Sequence, residues 1–561
     1  MALSVSGSPF ARRLLLAYGL LNALLYSSLL PLWEGFDEPF HFSYVQSLAE
    51  GRGTPDPRSS RLSREIGASL LLVPGSAEVQ QNLPAIRTYQ EYFKLPQSQR
   101  MAMRQQLGLL RGTGGGDGQI LNYEGQQAPG AYVLLAVPER ILTGLPLSDR
   151  VLALRILGAF CATILLCFGA ARLFDELQLH EPWKSAAIFC LLSTQMLWAT
   201  VAHVANDWLA LPLAVWLLVI TIRCWRRPGV KVAACFGCLL AAGLLTKAYF
   251  LALVPLGGVF IVTKGRLREF WIAAAIVMGA AGPWYVRNVL RYGSVTGMQE
   301  SRVGIGVMSV IGSAGKLNWP AVIVAGARSS LWTGNNSFTA FSGSTEAVVI
   351  TACAIALVLW MRGRHNAAEA ITVVFCCLFL AALGYDSVVA FISSAGTARG
   401  PSPWYSQILL APMLGLALLG CSRAAALGKA IAMVLVSVSA YMLTATYLFK
   451  LIPYYAGYAG RTTLRGLVIA YSDIGKLNEI ALAPAWLLIG LAVTVSGMAF
   501  ISAWMLSRSI FRAGLPATLI VDGGRSLDPA IGYAHGAHAS PRGNAASSRG
   551  QAPRGRRPGA Y

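Results

Sequence analysis

Apolar residues run along this chain in long blocks, each interrupted by a short polar or basic stretch. Blocks near 13–33, 151–171, 184–204, 207–223, 231–246, 248–263, 270–288, 344–361, 367–387, 405–421, 426–448 and 483–506 approach the ~20 helical residues that cross a bilayer, which predicts about twelve spans. The run from Gly130 to Val137 is shorter and is cut by Pro138, Glu139 and Arg140. It predicts a helix lying in the membrane interface rather than a crossing. The first block follows Arg12 and Arg13 without a small-x-small cleavage site, so it reads as an uncleaved anchor.

A different pattern follows that first block. Trp33-Glu34-Gly35-Phe36-Asp37-Glu38-Pro39-Phe40-His41-Phe42 leads into a stretch ending at Gly51. Pro39 suits a first helical turn, Gly51 suits a C-terminal cap, and Asp37 or Glu38 suits the N-cap. Phe40, Tyr44, Val45 and Leu48 share one face, which predicts a second interfacial helix.

Composition turns this pattern into a class. The chain has 561 residues, 55% of them hydrophobic and 13% charged, with mean hydropathy +0.54. Soluble domains carry about 25% charged residues, so this reads as an all-α polytopic membrane protein. The net charge of +21 would suggest nucleic acid in a soluble domain. Here the cations punctuate short loops, and no aromatic-basic binding module is present, so nucleic acid is not an expected partner.

Arg172 and Lys184, Arg223 to Lys231, Lys264 to Arg268, Arg362 and Arg364, and Arg423 and Lys429 fall on alternate sides of the blocks. That places both termini in the cytoplasm. A transmembrane domain is expected over 1–507, with outer loops at 34–150, 289–343, 386–404 and 449–482. The stretch 508–561 reads as a basic, disordered cytoplasmic tail. All ten cysteines lie in or beside apolar blocks, which fits buried thiols better than disulfides or metal ligands. Gly112 to Gly118 lacks the Gly-Lys-Ser/Thr ending of a phosphate loop and reads as a joint.

Candidate chemistry gathers on the outer side. Asp37 and Glu38 are adjacent carboxylates at a helix start, and either could accept a proton from a hydroxyl. His41 lies one turn on, Glu124 stands in the same loop, and Asn206 and Asp207 stand at the junction of two spans. Carboxylates at such boundaries are functional candidates. Arg155, Lys247 and Arg287 are cations where the topology disfavours them, suited to a phosphate leaving group or to snorkelling. Tyr405 follows Trp404 in a further outer loop. A divalent ion at Asp37, Glu38 and Asp207 is conceivable but not favoured, because the spacing offers one His and no paired-His motif.

Asp37-Glu38-Pro39-Phe40-His41-Phe42 resembles the D-E-x-x-H-F motif of GT-C superfamily glycosyltransferases, among them the protein O-mannosyltransferase and aminoarabinose-transferase families. Asn206-Asp207, Leu245-Thr246-Lys247, and Pro283-Trp284-Tyr285-Val286-Arg287-Asn288 with Tyr292-Gly293 resemble further signatures over roughly the first 300 residues. Gln126-Gln127-Ala128-Pro129-Gly130-Ala131-Tyr132 departs from the family's H-x-P-P-L-Y-Y, lacking its His or Lys and one proline.

The resemblance implies a GT-C-like fold in a bacterial inner membrane. It implies transfer of a sugar from a polyprenyl-phosphate donor to an extracytoplasmic acceptor, inverting, without a cofactor. It assigns Asp37 to catalysis as the base. Together with the reading of the residues above, Glu38 is expected beside it in catalysis, and His41, Glu124, Arg155, Asn206, Asp207, Lys247, Arg287 and Tyr405 at the substrates. A transporter or lipid flippase would instead predict inverted repeats and mid-span charges, and neither is visible. A polymerase or ligase of lipid-linked glycans would share the same outer site.

Overall fold

A computed structural model describes residues 9–112, 117–262, 266–297, 305–331, 341–397, 400–458 and 463–513. The tail beyond 513 and the centre of the Gly112–Gly118 joint lie outside the described residues. Among the described residues, seven helices are long and apolar enough to cross a membrane. They are Leu147–Glu176, Asp207–Arg226, Gly343–Met361, Ala367–Ser393, Tyr405–Arg423, Ala425–Tyr455 and Ala485–Arg512. The chain is an all-α, integral membrane protein.

Several expected spans are broken. The 184–204 block forms Trp183–Ser193 and Gln195–Val201, separated at Thr194, whose φ of −76° and ψ of 113° are extended. The 248–263 block forms a 3-10 helix, Ala248–Gly258, carrying Pro255, then four α-helical residues, Val259–Val262. A proline inside a helix removes one backbone hydrogen bond, and the tighter 3-10 winding runs past it. The 270–288 block is bent by 50° between Leu267–Ala280 and Gly282–Tyr292, with Pro283 opening the second piece.

The first helix, Pro9–Leu29, is held by polar bonds inside the apolar core. Tyr18 Oη lies 2.8 Å from Ser193 Oγ, Asn22 donates to Leu192 O at 3.2 Å, and Tyr447 donates to Asn22 Oδ1. Such bonds fix helix register where apolar contact alone is permissive.

The first loop departs from the expectation of two interfacial helices. Glu38–Ala49 is an α-helix, but every residue except Leu48 is buried, so it is an internal helix rather than a surface one. The apolar face read from the sequence is real, and the remaining faces are covered by the rest of the loop. Two small sheets stitch that cover: Arg61–Ser63 pairs antiparallel with Asp117–Leu121, and Pro74–Gly75 pairs parallel with Arg87–Thr88. Gly130–Leu142 is a short α-helix, as its interrupted apolar run suggested.

Buried charges tie this loop to the long helices. Arg150, fully buried at the start of Leu147–Glu176, pairs with both Glu65 and Glu139. Arg100 pairs with Glu479, 379 positions away, through Nε at 2.6 Å and Nη2 at 3.1 Å.

Candidate active site

The site is built around the turn 33–37. Trp33 and Asp37 both have positive φ, 68° and 54°. Asp tolerates this region and Trp does so rarely, so surrounding contacts hold the turn. Trp33 is buried and donates its indole N–H to Ser69 Oγ at 2.8 Å. Gly35 is required for closeness alone: a Cβ there would meet His203 Cβ at 2.6 Å.

The two adjacent carboxylates have opposite fates. Glu38 is fully buried and bidentate with Arg155, Nε–Oε1 at 2.7 Å and Nη2–Oε2 at 2.5 Å. The Val204 N–H adds a bond at 2.9 Å. Burial pushes the Glu38 carboxyl up, yet Arg155 and Val204 together hold it below the usual range. Arg155 gives its remaining N–H groups to the carbonyls of Ser27, Leu30 and Pro31. All five of its donors are therefore used. The structure corrects the sequence-based roles here: Arg155 has no N–H left for a phosphate, and Glu38 is shut away from any substrate. Together they form a lock beneath the site.

Asp37 sits at the N-cap of Glu38–Ala49, but its carboxylate makes no capping bond. It is only partly buried and takes a hydrogen bond from Tyr123. Burial raises its pKa, opposed by Tyr123 and by the charge of Lys247, and the nearby Asp207 raises it again. Tyr123 is placed by its own turn: its ring packs 4.4 Å from Phe40, and Asn122 donates to Phe40 O at 3.0 Å.

Glu124 follows Tyr123 in the same 3-10 turn, Tyr123–Gln126. Burial, then the Asp37 charge, pushes its carboxyl up to about 8, and its Oε2 has no hydrogen-bond partner. His41 Nδ1 lies 3.5 Å from that oxygen and 2.7 Å from the Tyr132 hydroxyl. Burial holds the His41 imidazole well below its usual pKa, aided by the neighbouring His203 and Lys247. Burial thus disfavours the charged forms of both Glu124 and His41.

Lys247 completes the wall. Its Nζ is 2.5 Å from Asp207 Oδ1 and 4.9 Å from the centre of the Tyr405 ring. One of its three N–H groups is thereby used by Asp207. Asn206 donates to Gln127 Oε1 at 3.3 Å and to Thr246 O at 3.1 Å, and Gly130 N donates to Leu245 O at 2.6 Å. The segment 126–130, which departs from the family pattern, thus serves here to hold Asn206 and the 245–247 bend together.

Arg287 stands on the far side, its guanidinium 4.5 Å over the Trp284 ring and 5.7 Å from that of Tyr292. Its Nη1 is buried without a partner. Burial pushes the Tyr44 hydroxyl up against the pull of Arg287, and Tyr44 stacks on Tyr132 at 4.2 Å. Tyr132 in turn joins Tyr44 to His41, its hydroxyl 2.7 Å from His41 Nδ1. The structure brings Asp37, His41, Glu124, Asn206, Asp207, Lys247 and Tyr405 together, with Arg287 at the margin.

Sequence reasoning passed over His203 and Tyr123. His203 lies in the 202–206 break, its ring 6.0 Å from that of Phe36, and neither ring nitrogen has a partner. Its position four residues before Asp207, at the junction of two apolar blocks, was the available signal. Among the described residues, no group of three or more His, Cys, Asp or Glu is arranged to hold a metal ion.

No family model and no curated protein matches the chain. In fold it is similar to ArnT from Cupriavidus metallidurans bound to undecaprenyl phosphate, at 11% identity and TM-score 0.42, covering 89% of this chain and 77% of that one. The apo state of ArnT is similar at 13% identity and TM-score 0.36, over 69% and 66% of the two chains. The Archaeoglobus fulgidus oligosaccharyltransferase tethered with an acceptor peptide is similar at 10% identity and TM-score 0.39, over 91% of this chain and 56% of that one.

Proposed function

We propose that this protein is a membrane glycosyltransferase that moves a sugar from a polyprenyl-phosphate donor to an extracytoplasmic acceptor hydroxyl, inverting the anomeric carbon. The observation that carries this reading is the partly exposed, uncapped carboxylate of Asp37 beside Lys247, next to a glutamate held neutral. Asp37 takes the acceptor's proton as the acceptor oxygen attacks the anomeric carbon. On the opposite face the carbon–oxygen bond to phosphate breaks, and the polyprenyl phosphate leaves with the electron pair.

A raised pKa suits this step, since a stronger base accepts the proton more readily. Charge grows on the departing phosphate, so Arg287 with its free N–H and Lys247 with its two uncommitted ones stabilise the transition state. Asp207 holds Lys247 in place, and His41, Asn206 and Tyr405 position the sugar or the acceptor.

The test is transfer of a labelled sugar from polyprenyl-phosphate donors to membrane acceptors, comparing wild type with Asp37→Asn. Asn tolerates positive φ as Asp does, so the turn is preserved. Loss of transfer in a folded variant supports the reading, and full activity in that variant sinks it.

A further inference from the structure

The segment 52–60 bonds to three separate supports of the candidate site. Arg52 N–H donates to Ser47 O at 2.9 Å, which fastens the segment to the helix Glu38–Ala49 behind Asp37. Asn122 N–H donates to Ser60 O at 2.8 Å, and a Cβ on Gly125 would meet Pro55 O at 2.8 Å. The segment is therefore packed against the turn that carries Tyr123 and Glu124. Asp56 makes the third attachment, to the end of Gly282–Tyr292, the helix that carries Arg287.

Asp56 is held for that contact. Pro55 and Pro57 flank it, and a residue before a proline favours extended backbone. Its N–H donates to Ser60 Oγ at 2.8 Å, and its carboxylate accepts the Arg58 N–H at 2.9 Å. On the facing helix, Gly293 takes a φ of 69° and ends the last turn, leaving Arg291 and Tyr292 at the tip. Arg291 Nη2 donates to Asp56 Oδ2 at 2.5 Å, and the Tyr292 hydroxyl lies 3.4 Å from Oδ1. Burial pushes the Asp56 carboxyl up, yet the Arg58 N–H and then the Arg291 charge hold it below the usual range. The pair is thus a charged one.

The Tyr292 ring links this pair to Arg287. The guanidiniums of Arg58, Arg287 and Arg291 lie 4.9, 5.7 and 5.9 Å from its centre. Three cations around one ring repel one another, and among the described residues Asp56 is the carboxylate that pairs with one of them. The ring attracts a cation in its turn, so a Tyr292 fixed through Asp56 fixes where Arg287 stands. We propose that Asp56 is a positioning residue: through Arg291 and Tyr292 it sets the place of the Arg287 guanidinium relative to Asp37, whose partner Tyr123 is held by the same segment. The inference rests on the function proposed above. Asp56 acts through a cation that meets the leaving phosphate, so its effect falls on the chemical step.

The experiment makes Asp56→Ala and, separately, Arg291→Gln, which breaks the same pair from its exposed partner should the first variant lose its melting temperature. Transfer from a polyprenyl-phosphate sugar is measured for each in the wild-type and Arg287→Ala backgrounds. In the wild-type background kcat should fall roughly ten- to a hundredfold with KM little changed, as for a catalytic group displaced by about 1 Å. In the Arg287→Ala background the same substitution should change kcat by less than about twofold, because the residue it acts through is gone. An unchanged kcat, an equal fall in both backgrounds, or a change confined to KM overturns the inference.

A second arm needs no turnover. Backbone hydrogen exchange over 282–292 should quicken in Asp56→Ala while Leu147–Glu176 stays protected. Sugar transfer by wild type with exchange over 282–292 unaltered in the variant would keep the glycosyltransferase reading and sink the role of Asp56. Quickened exchange without any sugar transfer by wild type would do the reverse: the attachment of Asp56 to the Arg287 helix would stand, and the proposed reaction would fall.

Discussion

Asp37 and Glu38 are chemically near-equivalent neighbours, yet one side chain reaches the site and the other is sealed against Arg155. The difference comes from backbone geometry: positive φ at Asp37 turns its side chain away from the helix that begins at Glu38. Asp37→Asn is expected to lower transfer by ~10²–10⁴-fold with the melting temperature retained, the usual span for a lost general base. Asp37 must be ionised to act, so activity falls as pH drops through its raised pKa. The charge of Asp207 contributes to that rise, so Asp207→Asn should move the acid limb of the pH–rate profile to lower pH, and a limb that stays in place would separate Asp207 from the base. Arg287→Ala, which removes an uncommitted cation, should cost roughly 10²–10³-fold in kcat, as for other donors to developing charge.

Among the elements, the broken helices matter most. The breaks at 202–206 and at 245–247 put Asn206, Asp207 and Lys247 side by side, joined by the Asn206 to Thr246 and Lys247 to Asp207 contacts. The length of each apolar block was legible in the sequence because hydrocarbon thickness imposes it. The break at Thr194 was not, since that residue is neither Gly nor Pro and nothing local marks it. Likewise the lock between Glu38 and Arg155 joins two residues whose partnership has no local spacing to betray it. That lock is expected to be unforgiving: Arg155→Ala or Glu38→Ala alone should destabilise the fold by about 3–5 kcal/mol, leaving one buried charge unpaired. The double variant Glu38→Leu with Arg155→Met should recover only part of that loss. It removes both charges but leaves the carbonyls of Ser27, Leu30 and Pro31 without donors. Thermal unfolding in detergent compares the three.

For the whole molecule, the first loop is held down by charges rather than by helix packing alone. Arg100 reaches Glu479, and Arg104 donates to Ala481 O at 2.9 Å, so the loop's middle is fastened to the chain just before the last long helix. Arg100→Ala should free that fastening, and limited proteolysis within 50–110 should accelerate while the long helices stay protected. Unaltered cleavage would mean the small sheets suffice. The sequence read the loop as two interfacial helices because periodicity reports one face at a time. What covers the other faces comes from the pairing of short strands too brief to leave an alternating pattern.

The sealed pair has one more consequence, for the order in which the protein is made. Glu38 leaves the ribosome 117 residues ahead of Arg155. Throughout that interval Glu38 lacks the partner that it has in the finished fold. Pairing requires the Leu147–Glu176 helix to dock beside Pro9–Leu29. The geometry of the candidate site is thus expected late in biogenesis, and a chain arrested before its second long helix inserts would hold the motif without the paired site.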